Sequence, residues 1–187
     1  MARLPDPYPN LSDDARARFN DIEQKRGAIR GMYRTLFNHP DLAIRVSELG
    51  TFLRFGGILN SRDKEVAILT AARHLRAGFV WQQHLQPARV ANTPQATIDA
   101  IKNSVAPPKD GTSDVDILAW QIASLTMDGV SIPTDLANEA KARAGVGIEG
   151  MIELVIIAGF YKMIAGVVTA FDVPLPDPSA PPFDDFS

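Results

Sequence analysis

A chain of 187 residues with 45% hydrophobic content suits one globular domain, or one domain with ordered arms, rather than two independent cores. Its formal charge of -3, with signs interspersed and no basic stripe, argues against nucleic acid as a partner. Cysteine is absent, which excludes disulfides, thiolate metal sites and every thiol-based redox or nucleophilic mechanism.

Residues 1–34 are expected to form an N-terminal arm and helix. No apolar run follows Arg3, and Pro5, Pro7 and Pro9 break the segment, so a secretory signal is not supported and the expected location is cytoplasmic. Residues 4–11 suit an extended arm on the surface or on a neighbouring subunit. Ser12 offers an N-cap, Asp13 and Asp14 favour the first turn, and the polar run to about Lys25 carries a narrow apolar edge of Phe19 and Ile22. Gly27 and Gly31 interrupt before a short apolar segment, 32–37. Asn38-His39-Pro40 then reads as the stop and restart before a helix at 41–55, with Leu42, Val46, Leu49 and Leu53 as its apolar stripe.

The stretch 61–91 reads as two apolar-faced helices meeting at Gly78. Asn60 or Ser61 caps the first, and Glu65, Ile68, Leu69, Ala72 and Arg76 share one side of it. On the second, Val80, Trp81, His84, Leu85, Ala88 and Ala91 share a face, and Pro87 removes one helical hydrogen bond just below the histidine. Glu65 and His84, each on a core-facing stripe, are the candidate acid/base pair, because a carboxylate can orient an imidazole and stabilise its protonated form. The bland alternatives are a satisfied core histidine and, for Glu65, a helix-terminal carboxylate favouring the dipole or an ion-pair partner of Arg62, Arg73 or Arg76. Trp81 is a candidate substrate platform or a core residue. Arg76 is a candidate clamp for a substrate carboxylate or a surface ion-pair partner.

Asn92 fits a left-handed C′ position, and Thr93-Pro94 reads as N-cap and N1 of a helix to about Asn103. Ser113 with Asp116 resembles a capping box before a helix at 114–127, and another helix is expected at 134–144. Residues 151–171 are long and apolar enough to span a bilayer, but Lys162 at the centre costs about 2.5–3.5 kcal/mol on insertion scales. A buried central helix at 148–171 is the expectation, with no membrane partner. A proline-rich tail, 177–187, follows. With no period-2 alternation, the fold class is all-α. No metal site is expected: His39 and His74 do not pair with His84 at helical spacing.

Several of these features together resemble the carboxymuconolactone decarboxylase family, within the alkyl hydroperoxidase D-like (AhpD-like) superfamily. They are Asn38-His39-Pro40, Arg62-x-x-Glu65-x-x-Ile68-Leu69, the run Phe79-Val80-Trp81-Gln82-Gln83-His84, and Val173-Pro174-Leu175-Pro176. The resemblance covers residues 35–176 and implies an AhpD-like helical bundle built on a helical hairpin. In the peroxidase branch, Glu and His relay protons to a Cys-x-x-Cys. The Glu and His positions are Glu65 and His84 here, but the cysteine positions are Ala77 and Val80, so thiol peroxidase chemistry is excluded. The decarboxylase branch implies a cofactor-free lyase or isomerase acting on a small carboxylated lactone, with no cofactor. A Tyr-Glu-Trp frequent in that branch is Phe79-Val80-Trp81 here, which puts that branch's own substrate in doubt. The resemblance also implies homo-oligomers (dimers, trimers or hexamers). The alternative is a non-catalytic, oligomeric ligand-binding or structural relative.

Overall fold

The computed structural model describes residues 3–26, 29 and 31–183, which contain nine α-helices and no strand. The expected break at Gly27 and the end of the tail, 184–187, lie outside the described residues. The helices are α1 (Asp13–Arg26), α2 (Gly31–Leu36), α3 (Pro40–Phe55), α4 (Ser61–His74), α5 (Gly78–Val90), α6 (Gln95–Lys102), α7 (Asp114–Asp128), α8 (Thr134–Ala142) and α9 (Gly147–Ala170).

Local chemistry sets most of these boundaries. The Asn60 side chain accepts from the Asp63 N–H at the start of α4, and Ser113 and Asp116 form the reciprocal capping box of α7. Asn92 is left-handed at φ 60°. Helix α6 departs from the expected cap. Pro94 heads it without a side-chain cap bond, and Thr93 Oγ1 is buried without a hydrogen-bond partner among the described residues.

The N-terminal arm folds onto its own chain. Asp6 takes a two-pronged bond from Arg34 at 2.7 Å on each oxygen, and Tyr8 stacks edge-on against Phe19, which in turn packs on Phe37. With Leu11, Ala15, Ile29 and Ala43 these form a satellite core beside the main one.

The central element is α4, contrary to the expectation for α9. Every residue from Asp63 to Ala72 is buried, and α5, α6, α7 and α9 surround the helix. Helix α9 is long and apolar enough to cross a membrane by length and composition, but only half of that window is buried, and Ile148, Ile152, Ile156 and Met163 lie exposed along one side. Its other side packs on α4 and α7. Helix α3 is also rotated from its expected stripe: Leu42 and Leu49 are 46% and 43% exposed, while Ala43, Val46, Ser47, Gly50 and Leu53 face inward. Close approach is the reason, since Tyr33 and Phe160 sit against Gly50 where a side chain would clash, which turns the small residues of α3 toward the core.

Three consecutive buried ionisable residues, Asp63, Lys64 and Glu65, lie near the start of α4, and each meets a different neighbour. Asp63 faces Asp116 at the start of α7, whose carboxylate receives Arg62 Nε at 3.0 Å. Lys64 Nζ lies 3.0 Å from Glu153 Oε1 on α9 and also donates to the Gly56 carbonyl. The other Glu153 oxygen accepts the N–H groups of Ile58 and Leu59, so one carboxylate closes both the ion pair and the loop before α4. Gly57, at φ +73°, passes so near this carboxylate that a Cβ would overlap it.

Glu153→Ala strands the buried Lys64 ammonium and is expected to lower stability by about 3–5 kcal/mol in urea unfolding. The Lys64→Met/Glu153→Leu double variant is expected to recover only part of that loss, because the Ile58 and Leu59 donors still lack an acceptor; a Glu153→Ala loss below about 1 kcal/mol would refute the account. Burial, and then the neighbouring Asp116 charge, push the Asp63 carboxyl up to about 7. The folded state therefore holds this proton more tightly than the unfolded chain, and the stabilisation is complete below about pH 4 and lost as pH rises through about 7. Thermal midpoints of Asp63→Asn are expected to fall less over that interval than those of the wild type, and parallel curves would contradict this.

Candidate active site

The link at 75–77 turns the chain between α4 and α5 and brings their polar residues together. Glu65 Oε2 lies 2.8 Å from His84 Nδ1, and each residue is only 6% exposed. A carboxylate can only accept, so Nδ1 carries the hydrogen and donates it to Glu65. That leaves Nε2 as the ring nitrogen able to exchange a proton with a ligand. Tyr161 of α9 holds the imidazole edge-to-face at 4.9 Å between centroids, and Phe160 packs on Tyr161 at 5.4 Å.

His84 borders a cavity of about 380 Å³, within the range of small-molecule sites. Glu65 does not border it and stands behind the imidazole, so the order is carboxylate, imidazole, cavity. Met32, Val80, Phe160 and Ile164 give the cavity apolar walls; Tyr33, Gln83 and Arg54 bring polar groups. Pro87 also borders it and has no N–H, so the Gln83 carbonyl loses its helical donor one turn away at the same wall.

Helix α5 divides its residues between two environments. Val80, Gln83, His84 and Pro87, at spacings of three, four and seven, face the cavity. Trp81, Gln82, Leu85 and Arg89 face a separate hollow formed with the C-terminal segment. There Trp81 is 2% exposed and packs edge-to-face on Phe183 at 5.1 Å, while the Gln82 amide donates to the carbonyls of Asp177 and Ala180. Trp81 is therefore placed away from the cavity that His84 borders. Arg76 is placed away from it too: α4 ends at His74, and Arg76 sits exposed in the corner at φ 51°. Of the two positions matching the peroxidase thiols, Val80 reaches the cavity wall and Ala77 is buried in the core.

Arg54 is the cavity residue that sequence reasoning missed. In the last turn of α3 it reads as a cation complementing the helix dipole, and nothing in its spacing ties it to the segment carrying His84. Tyr161 could be singled out in sequence, but without a role, because its partner is 77 residues away. Among the described residues no three His, Asp or Glu side chains converge as a metal site would require.

No family model and no curated protein matches this sequence. Solved structures do match its fold. The AhpD core of an uncharacterized peroxidase-related protein from Ralstonia eutropha JMP134 aligns with a TM-score of 0.76 at 17% identity, covering 95% of this chain and 93% of that one. The debrominase Bmp8 without ligand aligns with a TM-score of 0.72 at 14% identity, over 96% and 92% of the two chains. A cysteine-to-alanine variant of Bmp8 in complex with 2,3,4-tribromopyrrole gives 0.70 at 15% identity, over 90% and 88%. The chain thus has the all-helical AhpD-like fold.

The Glu65–His84 geometry dictates a tautomer. Nitrogen-detected NMR of the neutral ring is expected to place the proton on Nδ1 in the wild type and to show that preference lost in Glu65→Ala. A wild-type ring protonated mainly on Nε2 would contradict the assignment.

Proposed function

We propose that the protein is a cofactor-independent acid–base enzyme of the carboxymuconolactone decarboxylase type, a lyase or isomerase acting on a small carboxylated ring such as a lactone. The observation that carries this reading is the buried Glu65–His84 pair at the wall of a mostly apolar cavity in a chain without sulfur nucleophiles. Glu65 orients the imidazole and stabilises its cationic form; His84 Nε2 is then a proton donor as imidazolium and an acceptor when neutral. In a decarboxylation, the bond from the ring carbon to the leaving carboxylate breaks, its electron pair stays on the conjugated ring, carbon dioxide leaves, and His84 delivers a proton to that carbon. Solvent restores the imidazolium. The apolar walls favour the step by disfavouring the localised carboxylate charge relative to the delocalised transition state. In an isomerisation the same nitrogen removes a proton from one ring carbon and returns it to another. An AhpD-like neighbour that binds 2,3,4-tribromopyrrole supports a ring-sized ligand for this fold.

Val80 and Phe79 favour a second reading, a ligand-binding relative without turnover, because both cavity-wall positions carry apolar residues with no reactive group. A panel of small carboxylated lactones, followed by ultraviolet loss of substrate and by carbon dioxide release, separates the two. Turnover is expected with at least one member, and His84→Ala is expected to lower kcat/KM by about 100-fold or more. Turnover that survives His84→Ala, or binding without turnover across the panel, sinks the enzyme reading.

A further inference from the structure

The cavity beside His84 holds a charge that the proton chemistry does not use. Arg54 borders it from α3, whereas His84 borders it from α5. The guanidinium lies 4.9 Å from the ring centroid of Phe55, which supplies no hydrogen-bond acceptor. Its Nε is buried with no hydrogen-bond partner, and no ion pair joins Arg54 to an acidic side chain among the described residues. Arg16 Nε is likewise buried without a partner, but that guanidinium donates to the Leu11 carbonyl and does not border the cavity, and the half-buried Arg62 is held by Asp116. Arginine carries a permanent charge, so Arg54 gives the cavity lining a fixed cation. No Asp or Glu is among the described residues that border the cavity, since Glu65 stands behind His84. Among the described residues the cavity has apolar walls, one permanent cation and no carboxylate, which is complementary to a ring that bears a carboxylate.

We propose that Arg54 is the anion anchor of this cavity, holding a carboxylate of the ligand in a planar, two-pronged pair while the ring lies along the apolar wall toward His84 Nε2. The assignment rests on the proposed function for its reaction but not for its binding chemistry. Physical chemistry also specifies which carboxylate is held. Pairing with a guanidinium stabilises a carboxylate's charge and opposes its loss as carbon dioxide, so Arg54 holds the group that the substrate keeps, and any group lost lies nearer the apolar wall and His84. Arg54 is then a specificity determinant: it selects anionic over neutral rings of equal size.

The test uses benzoate and its uncharged counterpart benzyl alcohol, with binding measured by calorimetry on the full chain. Wild type is expected to bind benzoate at least tenfold more tightly than benzyl alcohol. Arg54→Gln is expected to erase that difference by weakening benzoate alone, with Arg54→Lys in between because an ammonium keeps the charge but not the fork. Arg76→Gln, at an exposed arginine away from the cavity, is expected to keep the benzoate preference. Equal affinity of wild type for the two ligands overturns the proposal without recourse to any variant, and so does an unchanged preference in a folded Arg54→Gln or Arg54→Lys protein. A retained benzoate preference alongside lactone turnover that survives His84→Ala would leave the anchor standing and remove the proposed reaction.

Discussion

The structure depends on the burial of α4 on every side, and above all on what that burial does to Asp63, Lys64 and Glu65. Successive helical residues point about 100° apart, so three neighbouring charges cannot share one partner. Each is taken out of water and must be neutralised or bonded by whichever helix packs there. Asp63 meets Asp116 of α7, which also receives Arg62 of α4, Lys64 meets Glu153 of α9, and Glu65 meets His84 of α5. An apolar helix at this position would tolerate rotation by a turn or a slide along its neighbours. Charged groups do not, because any misregister strands an ion in the interior.

The three pairs have different chemical consequences. The Lys64–Glu153 bridge is also bonded by backbone donors and an acceptor from the preceding loop, which makes it an element of architecture. The Asp63–Asp116 contact places two carboxyls together and favours a retained proton. The Glu65–His84 pair alone has one member at a cavity wall, with a ring nitrogen left over once the carboxylate is satisfied. The same burial that makes the other two pairs structural leaves His84 at the wall of a ligand-sized space.

The positions of the cavity's other groups show the same geometric logic. Helix α5 turns Val80, Gln83, His84 and Pro87 to the cavity and gives Trp81 and Gln82 to the C-terminal segment, so a step of one residue, from Val80 to Trp81 or from Gln82 to Gln83, decides between cavity and tail. Arg76 and Arg54 are both cations near helix ends, and only the second reaches the cavity, because α3 crosses beside it and the α4–α5 corner points outward.

The sequence by itself determined the helical class and nearly every helix boundary, and it singled out Glu65 and His84 as candidate partners, whose contact the structure shows. Those depend on caps, glycines, prolines and a 3.6-residue period, all of which act over a few residues, and 65 and 84 lie on consecutive helices joined by a short corner. Absence of cysteine settled the fate of thiol chemistry with no fold required. Tertiary structure alone decided that α4 rather than α9 is the helix buried on all sides, that α3 turns Leu42 and Leu49 outward, and that Arg54 and Tyr161 join His84 while Trp81 leaves it. A periodic pattern reports that a helix has an apolar side, but not which other helix will cover that side or how closely a glycine such as Gly50 lets it approach. Those outcomes are set by the packing of residues distant in sequence.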